Sequence, residues 1–87
     1  MSITNATSKL ILRTRTLSNI IDLELKSLCI EQQVTPDFNF YGFAVSRSQQ
    51  MAHTMSESEA NESIESFNKF LESLCQTVGK IGLKNTH

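Results

Sequence analysis

The chain contains no tryptophan, one proline and three glycines in 87 residues. So little glycine and proline is not typical of collagen-like or low-complexity chains. With 39% apolar and 20% charged residues, the composition is that of an ordinary globular protein. We therefore predict one folded domain over residues 1–87, with flexible ends at 1–7 and 83–87.

No charge of one sign dominates, because the formal net charge is −1. The total charge therefore gives no reason to expect nucleic-acid binding. No apolar stretch approaches the roughly 20 residues that cross a bilayer, so we expect no membrane partner. The first eight residues are polar and do not resemble a signal peptide. We expect a cytoplasmic protein whose thiols are reduced.

Motifs that define a chemistry are also missing. Cys29 and Cys75 do not have the spacing of metal ligands, and one of the two histidines is His87. There is no glycine-rich phosphate loop, H-E-x-x-H or G-x-S-x-G motif. Nucleophilic catalysis needs a nucleophile, a base and an orienting group, and a metal needs three or four ligands. We therefore expect no enzymatic activity, cofactor, metal or small-molecule substrate.

The last third of the chain carries the clearest pattern. Its apolar residues recur at helical spacing: Ile64, Phe67, Phe70, Leu71, Leu74 and Val78. This spacing predicts a long amphipathic helix over residues 57–79. Ser56 or Ser58 can cap its start, and Gly79 is a natural end.

Residues 9–30 alternate between apolar and polar side chains. This alternation favours a β-hairpin with strands at 9–17 and 20–30. The competing interpretation is one helix from Ser8 to Gln33, with Leu10, Leu17, Ile21, Leu25 and Leu28 on one face. That helix would leave Leu12, Leu23 and Ile30 exposed on the opposite face, so we favour the hairpin.

A third strand is predicted over residues 40–45, with Gly42 as a bulge. A short helix then follows through Met55, capped by Ser46 or Ser48. The expected fold is therefore α+β. In this small two-layer domain, three antiparallel strands are covered by the short helix and the C-terminal amphipathic helix.

The predicted outer face of the C-terminal helix is acidic, with Glu59, Glu62, Glu65 and Glu72. These side chains could meet a basic patch on a partner or imitate a phosphate backbone. The plainer interpretation is a solvated face, with the early glutamates favourably placed near the helix N-terminus.

The aromatic segment is the second candidate, with Phe38, Phe40 and Tyr41 as possible anchors for a protein partner. Alternation buries only one set of its side chains, so the other set could form a binding surface or a homodimer interface. The plainer interpretation places all of these aromatics in the core.

Arg13 and Arg15 share one side of the predicted first strand and could contact phosphate. Cross-strand pairs with Asp22 and Glu24, or simple solvation, are the favoured interpretation. Those carboxylates would cancel much of a positive patch.

We therefore expect a non-enzymatic binding protein that inhibits or modulates a larger assembly, such as a nucleic-acid-binding complex. Phage and mobile-element inhibitors of bacterial defence, including anti-CRISPR proteins, form such a class. The assignment is to that class and not to a family. The alternative is a DNA-binding regulator of ribbon–helix–helix type, since strand, helix, helix is the predicted order from Phe40 onward. A DNA-reading strand should carry alternating polar or basic side chains, and residues 40–45 supply none.

Overall fold

The structure, a computed structural model, describes residues 4–84 and the side chains of residues 4–80. It contains three α-helices, α1 (Asn5–Glu31), α2 (Phe40–Thr54) and α3 (Glu57–Lys84). No strand occurs between residues 4 and 84. The predicted α+β fold, with strands at 9–17, 20–30 and 40–45, is therefore wrong, and the fold is a three-helix bundle.

Helices α1 and α3 run side by side in the same direction. Contacts between them advance together along both helices, in the pairs Thr7–Asn61, Thr14–Asn68 and Leu17–Cys75. Because residues further along α1 contact residues further along α3, the two helices are parallel. Helix α2 carries the chain back from the end of α1 to the level at which α3 starts.

The packing of α2 confirms its antiparallel direction. Met51, late in α2, belongs to a cluster with Ile11, early in α1, and Ile64. Phe40, the first residue of α2, packs on a second cluster around Leu17 and Ile21. With α1 and α3 each near 40 Å long at 1.5 Å per residue, the bundle measures 48 × 22 × 15 Å.

Helix α1 replaces the predicted hairpin and matches the competing helical interpretation. Thr4 caps its start, since the Thr4 hydroxyl accepts a hydrogen bond from the Thr7 amide. The exposure of Leu12, Leu23 and Ile30 counted against a helix, yet these side chains are 60%, 60% and 67% exposed. The apolar–polar alternation of residues 9–30 resembled a strand pattern because this helix buries some polar residues and exposes some apolar ones.

Helix α2 begins at Phe40, so the predicted third strand forms its first turns. The Asn39 side chain caps it by accepting a hydrogen bond from the Gly42 amide over 2.9 Å. A Cβ atom on Gly42 would lie 2.5 Å from Asn39 Nδ2, so glycine makes room for the cap. Gly42 is therefore not a strand bulge. Ser46 and Ser48, the predicted caps, lie within the helix.

The predicted C-terminal helix is present as α3. The Ser56 hydroxyl accepts a hydrogen bond from the Glu59 amide, which places the start at Glu57. The helix continues through Gly79, the predicted end, to Lys84. Of the ends predicted to be flexible, residues 5–7 and 83–84 are helical, and residues 1–3 and 85–87 lie outside the described part of the chain.

The core of the bundle is small and partly polar. Its largest fully buried side chains are Ile21, Ile64, Leu71, Thr14, Ser18 and Ser48. Half of these carry a hydroxyl, and each hydroxyl donates to a backbone carbonyl or a buried amide. Buried polar groups cost little when they are paired in this way. Within residues 4–84, no helix is both long and apolar enough to cross a membrane.

Candidate functional surfaces

The acidic residues predicted as a binding surface lie on the outside of α3. Glu59, Glu62 and Glu65 are exposed on the side of the helix away from the buried Ile64 and Leu71. Residues 48–68 contain four glutamates and no lysine or arginine. We call Glu59, Glu62 and Glu65 the acidic face. Its carboxylates form no ion pair with a described side chain, and Glu62 lines a hollow together with Arg47 of α2.

Glu72, the fourth predicted acidic residue, is placed differently. Its Oε1 atom accepts from Arg13 Nη2 on α1 over 3.0 Å, and about half of each side chain is exposed. Exposed ion pairs of this kind contribute at most about 1 kcal/mol. Glu72 therefore belongs to the contact between α1 and α3, and its charge is already partnered within the chain.

The predicted aromatic anchors do not form one surface with the glutamates. Phe40 and Tyr41 are half-buried in the first turn of α2, and Phe40 packs on the core. Phe38 is 38% exposed in the preceding loop. Phe43, in the same aromatic segment, is 63% exposed, and its ring centroid lies 6.4 Å from that of Phe40.

A groove that the sequence did not reveal runs between α1 and α2. It consists of two adjoining hollows that share Leu12 and Arg15. One hollow is completed by Ser8, Ile11, Gln49 and His53, and the other by Thr16, Asn19, Ile20 and Tyr41. We call this surface the α1–α2 groove. It combines exposed aliphatic side chains with a guanidinium group at its middle.

The two segments that form this groove carry basic but no acidic side chains. Residues 5–21 of α1 contain no carboxylate, and neither does the whole of α2. Of their basic residues, Arg15 and His53 line the groove, Arg13 is paired with Glu72, and Arg47 lines a hollow with Glu62 of α3. Arg15 has no ion-pair partner among the described side chains. Residues 5–21 and α2 thus form a basic side and residues 57–68 of α3 an acidic side, and the two sides meet where Arg47 and Glu62 line the same hollow.

The sequence interpretation missed this separation because it folded residues 9–30 as a hairpin. The hairpin would have set Asp22 and Glu24 opposite Arg13 and Arg15. In the helix, Asp22 is buried and its Oδ2 atom lies 3.3 Å from Lys26 Nζ, one turn away. The carboxylate expected to neutralise Arg15 is therefore engaged elsewhere.

Two hydrogen-bonded pairs fix the acidic and basic sides relative to each other. The Thr7 hydroxyl donates to Asn61 Oδ1 over 2.6 Å, and the Thr14 hydroxyl donates to Asn68 Oδ1 over 2.5 Å. The Asn68 amide also donates to the Leu10 carbonyl. The pairs repeat after seven residues in both helices. Buried polar pairs of this kind specify register in helical bundles.

The described residues include two cysteines, Cys29 and Cys75. Both are free, and Cys75 Sγ contacts the Leu17 carbonyl at 3.5 Å. Burial raises the pKa of the Cys75 thiol, Arg13 opposes this effect and Glu72 adds to it. The thiol therefore stays protonated at neutral pH. Among the described residues, no three His, Cys, Asp or Glu side chains are grouped so that they could hold a metal ion.

Comparison of the chain with protein-family models, with curated proteins and with solved structures found no match. The acidic face and the α1–α2 groove are therefore interpreted from their own side chains. Each is a surface of a rigid helix and not of a loop, so its charges are held at fixed spacing.

Proposed function

We propose that the protein binds a larger protein assembly without catalysing a reaction, and that the acidic face of α3 makes the contact. The observation that carries this proposal is the set of three exposed carboxylates on successive turns, Glu59, Glu62 and Glu65. None of them forms an ion pair with a described side chain. Their charge is therefore available to a partner.

The partner that fits this face has a basic surface. Carboxylates at fixed spacing on a helix can occupy positions where an assembly otherwise binds phosphate groups. An assembly that binds nucleic acid would be modulated or inhibited by such occupation. Inhibition of a bacterial defence complex is one form of this activity. The support for this form is the small size of the protein and its acidic face.

The ribbon–helix–helix alternative is not carried forward. It depended on a strand over residues 40–45, and α2 occupies those residues. The homodimer interface expected from the aromatic strand is not carried forward either, because residues 40–45 form a helix and not a strand. Phe40 is instead committed to the core around Ile21.

The proposal is tested by capture of partners from a lysate of the native host with the tagged protein, with and without nuclease. The variant Glu59→Lys/Glu62→Lys/Glu65→Lys reverses the acidic face. The matched control, Glu24→Lys/Glu31→Lys/Asp37→Lys, makes the same charge change at three exposed residues away from α3. Because all six positions are exposed, both variants should keep the helical circular dichroism of the wild type.

We expect a stoichiometric protein complex that survives nuclease, is lost in the α3 variant and is retained in the control. With the purified partner, the loss should reach roughly tenfold or more in Kd, about 1.4 kcal/mol. Added salt should weaken wild-type binding because exposed charges are screened. Equal binding by the α3 variant, or recovery that depends on nucleic acid, would overturn the proposal.

A further inference from the structure

A stripe of exposed side chains on α1 leads out of the α1–α2 groove. It consists of Arg15, Asn19 and Leu23, each four residues after the last. All three are exposed, and Leu23 is 60% exposed although it is a large apolar residue. Arg15 and Asn19 line the groove, and Leu23 lies one turn beyond it. The order along the helix is cation, amide, aliphatic side chain.

A second stripe runs along the exposed surface of α3, and its first two residues border a hollow that Arg47 and Met51 of α2 also line. The stripe consists of Glu62, Ser66 and Phe70, again at steps of four residues. These side chains are also exposed, and Phe70 is 59% exposed although Phe67, Leu71 and Leu74 of the same helix pack on the core. The order along this helix is anion, hydroxyl, aromatic side chain.

The two stripes are complementary in charge, order and length. Rows of residues four apart form ridges on a helix surface, and two such ridges pack together in the commonest class of helix crossing. With the helices running in the same direction, Glu62 meets Arg15, Ser66 meets Asn19 and Phe70 meets Leu23. We infer that α3 of one copy docks on the α1 stripe of a second copy, so that the protein self-associates.

The distribution of charge favours a second copy as the occupant of this surface. Residues 5–21 and α2 are free of carboxylates, and residues 48–68 are free of lysine and arginine. Opposite signs therefore face each other when the basic side of one copy meets the acidic side of another. The formal net charge of −1 adds little repulsion between copies. The inference goes beyond the proposed function and does not depend on it.

Each contact joins the α1 stripe of one copy to the α3 stripe of another copy. The interface is therefore heterologous, and each copy can take part in two contacts. Such contacts produce a ring when the rotation between copies closes and an open ribbon when it does not. The assembly should therefore grow with protein concentration beyond a dimer, unlike an assembly built on a two-fold axis.

Sedimentation velocity and light scattering of the full chain test this inference at low ionic strength over a wide range of concentration. We expect a mass at least double the monomer's 9.8 kDa, rising with concentration and falling with added salt. Arg15→Glu and Glu62→Arg should each give a monomer. The double variant Arg15→Glu/Glu62→Arg exchanges the two charges and should regain the wild-type mass.

Two matched controls make the same charge changes outside the stripes. Lys80→Glu and Glu24→Arg alter exposed residues of α3 and α1, and both should keep the wild-type mass. A wild type that stays monomeric throughout overturns the inference. An assembly that persists in both single variants, or that the double variant does not regain, overturns it as well.

Partner capture by Arg15→Glu separates this inference from the proposed function. Arg15→Glu keeps the acidic face of α3 intact, so the proposed function predicts that it still captures the basic partner. A monomeric Arg15→Glu variant that captures the partner supports both proposals. Loss of capture in the α3 triple variant, together with a wild type that is always monomeric, supports the proposed function and overturns self-association.

Discussion

Helices α1 and α3 have nearly the same length and lie side by side, yet they use their side chains in opposite ways. Helix α3 turns aliphatic residues inward and glutamates outward. Helix α1 buries Thr7, Thr14, Ser18 and Asp22 and exposes Leu12, Ile20, Leu23 and Ile30. The amphipathic pattern of α3 is therefore enough to indicate which side of that helix is buried. For α1, the buried side is determined by the residues of α2 and α3 that pack against it.

The polar interior of α1 is tolerated because most of its groups are hydrogen-bonded. Ser18 donates to the Thr14 carbonyl over 2.6 Å, and Thr14 is bonded to Asn68. Asp22 is the exception, since its buried Oδ1 atom has no hydrogen-bond partner among the described residues. Without α3, the Thr7 and Thr14 hydroxyls would lose their hydrogen bonds to Asn61 and Asn68.

The largest expected effect tests whether the two helices share one core. Ile21 on α1 and Leu71 on α3 are both 0% exposed and belong to the same cluster. Ile21→Ala and Leu71→Ala should each lower the free energy of unfolding by about 2–5 kcal/mol. Urea titrations followed by circular dichroism measure both. A loss confined to Leu71→Ala would show that α1 is not an equal part of the core.

The next effect tests the polar pairing that distinguishes α1. Thr14→Val keeps the shape of the side chain but leaves the Asn68 carbonyl oxygen without its donor, so unfolding should be easier by about 1–3 kcal/mol. Thr16→Val is the matched control, because Thr16 is exposed and donates only to the Leu12 carbonyl. Equal urea midpoints for the two variants would contradict the role assigned to Thr14.

A smaller effect is expected at the exposed apolar residues of α1. Leu23→Gln should change the free energy of unfolding by no more than about 0.5 kcal/mol, because Leu23 lies outside the core. Leu17→Gln, at a residue only 4% exposed, should be strongly destabilising. If thermal melting showed a large loss for Leu23→Gln in a monomeric sample, Leu23 would be needed for the fold and not for a surface contact.

The smallest effect is a pH dependence from Cys75, at the contact between the two helices. Because burial raises the pKa of this thiol, the folded state favours the protonated form. Its contribution to stability is present below the pKa of the unfolded chain and is lost as the pH rises through the folded value. Urea midpoints of the wild type should therefore fall more steeply at alkaline pH than those of Cys75→Ala. Parallel curves would rule out this contribution.

The same contrast explains how much of the fold the sequence could predict. Helix α3 was predicted because Ile64, Leu71 and Val78 follow the helical period on a face whose buried residues are mostly apolar, with Asn68 as the buried polar residue among them. Helix α1 was not, because Thr14 and Ser18 occupy core positions that a hydrophobicity pattern assigns to the surface. Asn68, the partner of Thr14 on α3, is 54 residues away in sequence, and no local pattern contains that information.

The same limit applies to the candidate surfaces. The exposure of the acidic face followed from the period of α3 alone. The α1–α2 groove did not, because it needs Arg15 and His53 from two helices whose pairing the sequence leaves open. Asn39 and Gly42 contained the one local signal for α2, since asparagine is a strong helix cap. The run of aromatic residues after Asn39 is typical of a strand, and the prediction followed that run and not the cap.

The parallel arrangement of α1 and α3 also has a consequence for synthesis of the chain. Hydrogen-bonded partners in the two helices are 54–59 residues apart in sequence. While a ribosome is still translating α2, the inward hydroxyls of α1 have no asparagines to bond. Long-range contacts of this kind slow folding relative to helical hairpins built from neighbours. The nascent chain therefore reaches its native packing only after α3 has emerged, and until then its incompletely packed helices expose apolar side chains that favour aggregation.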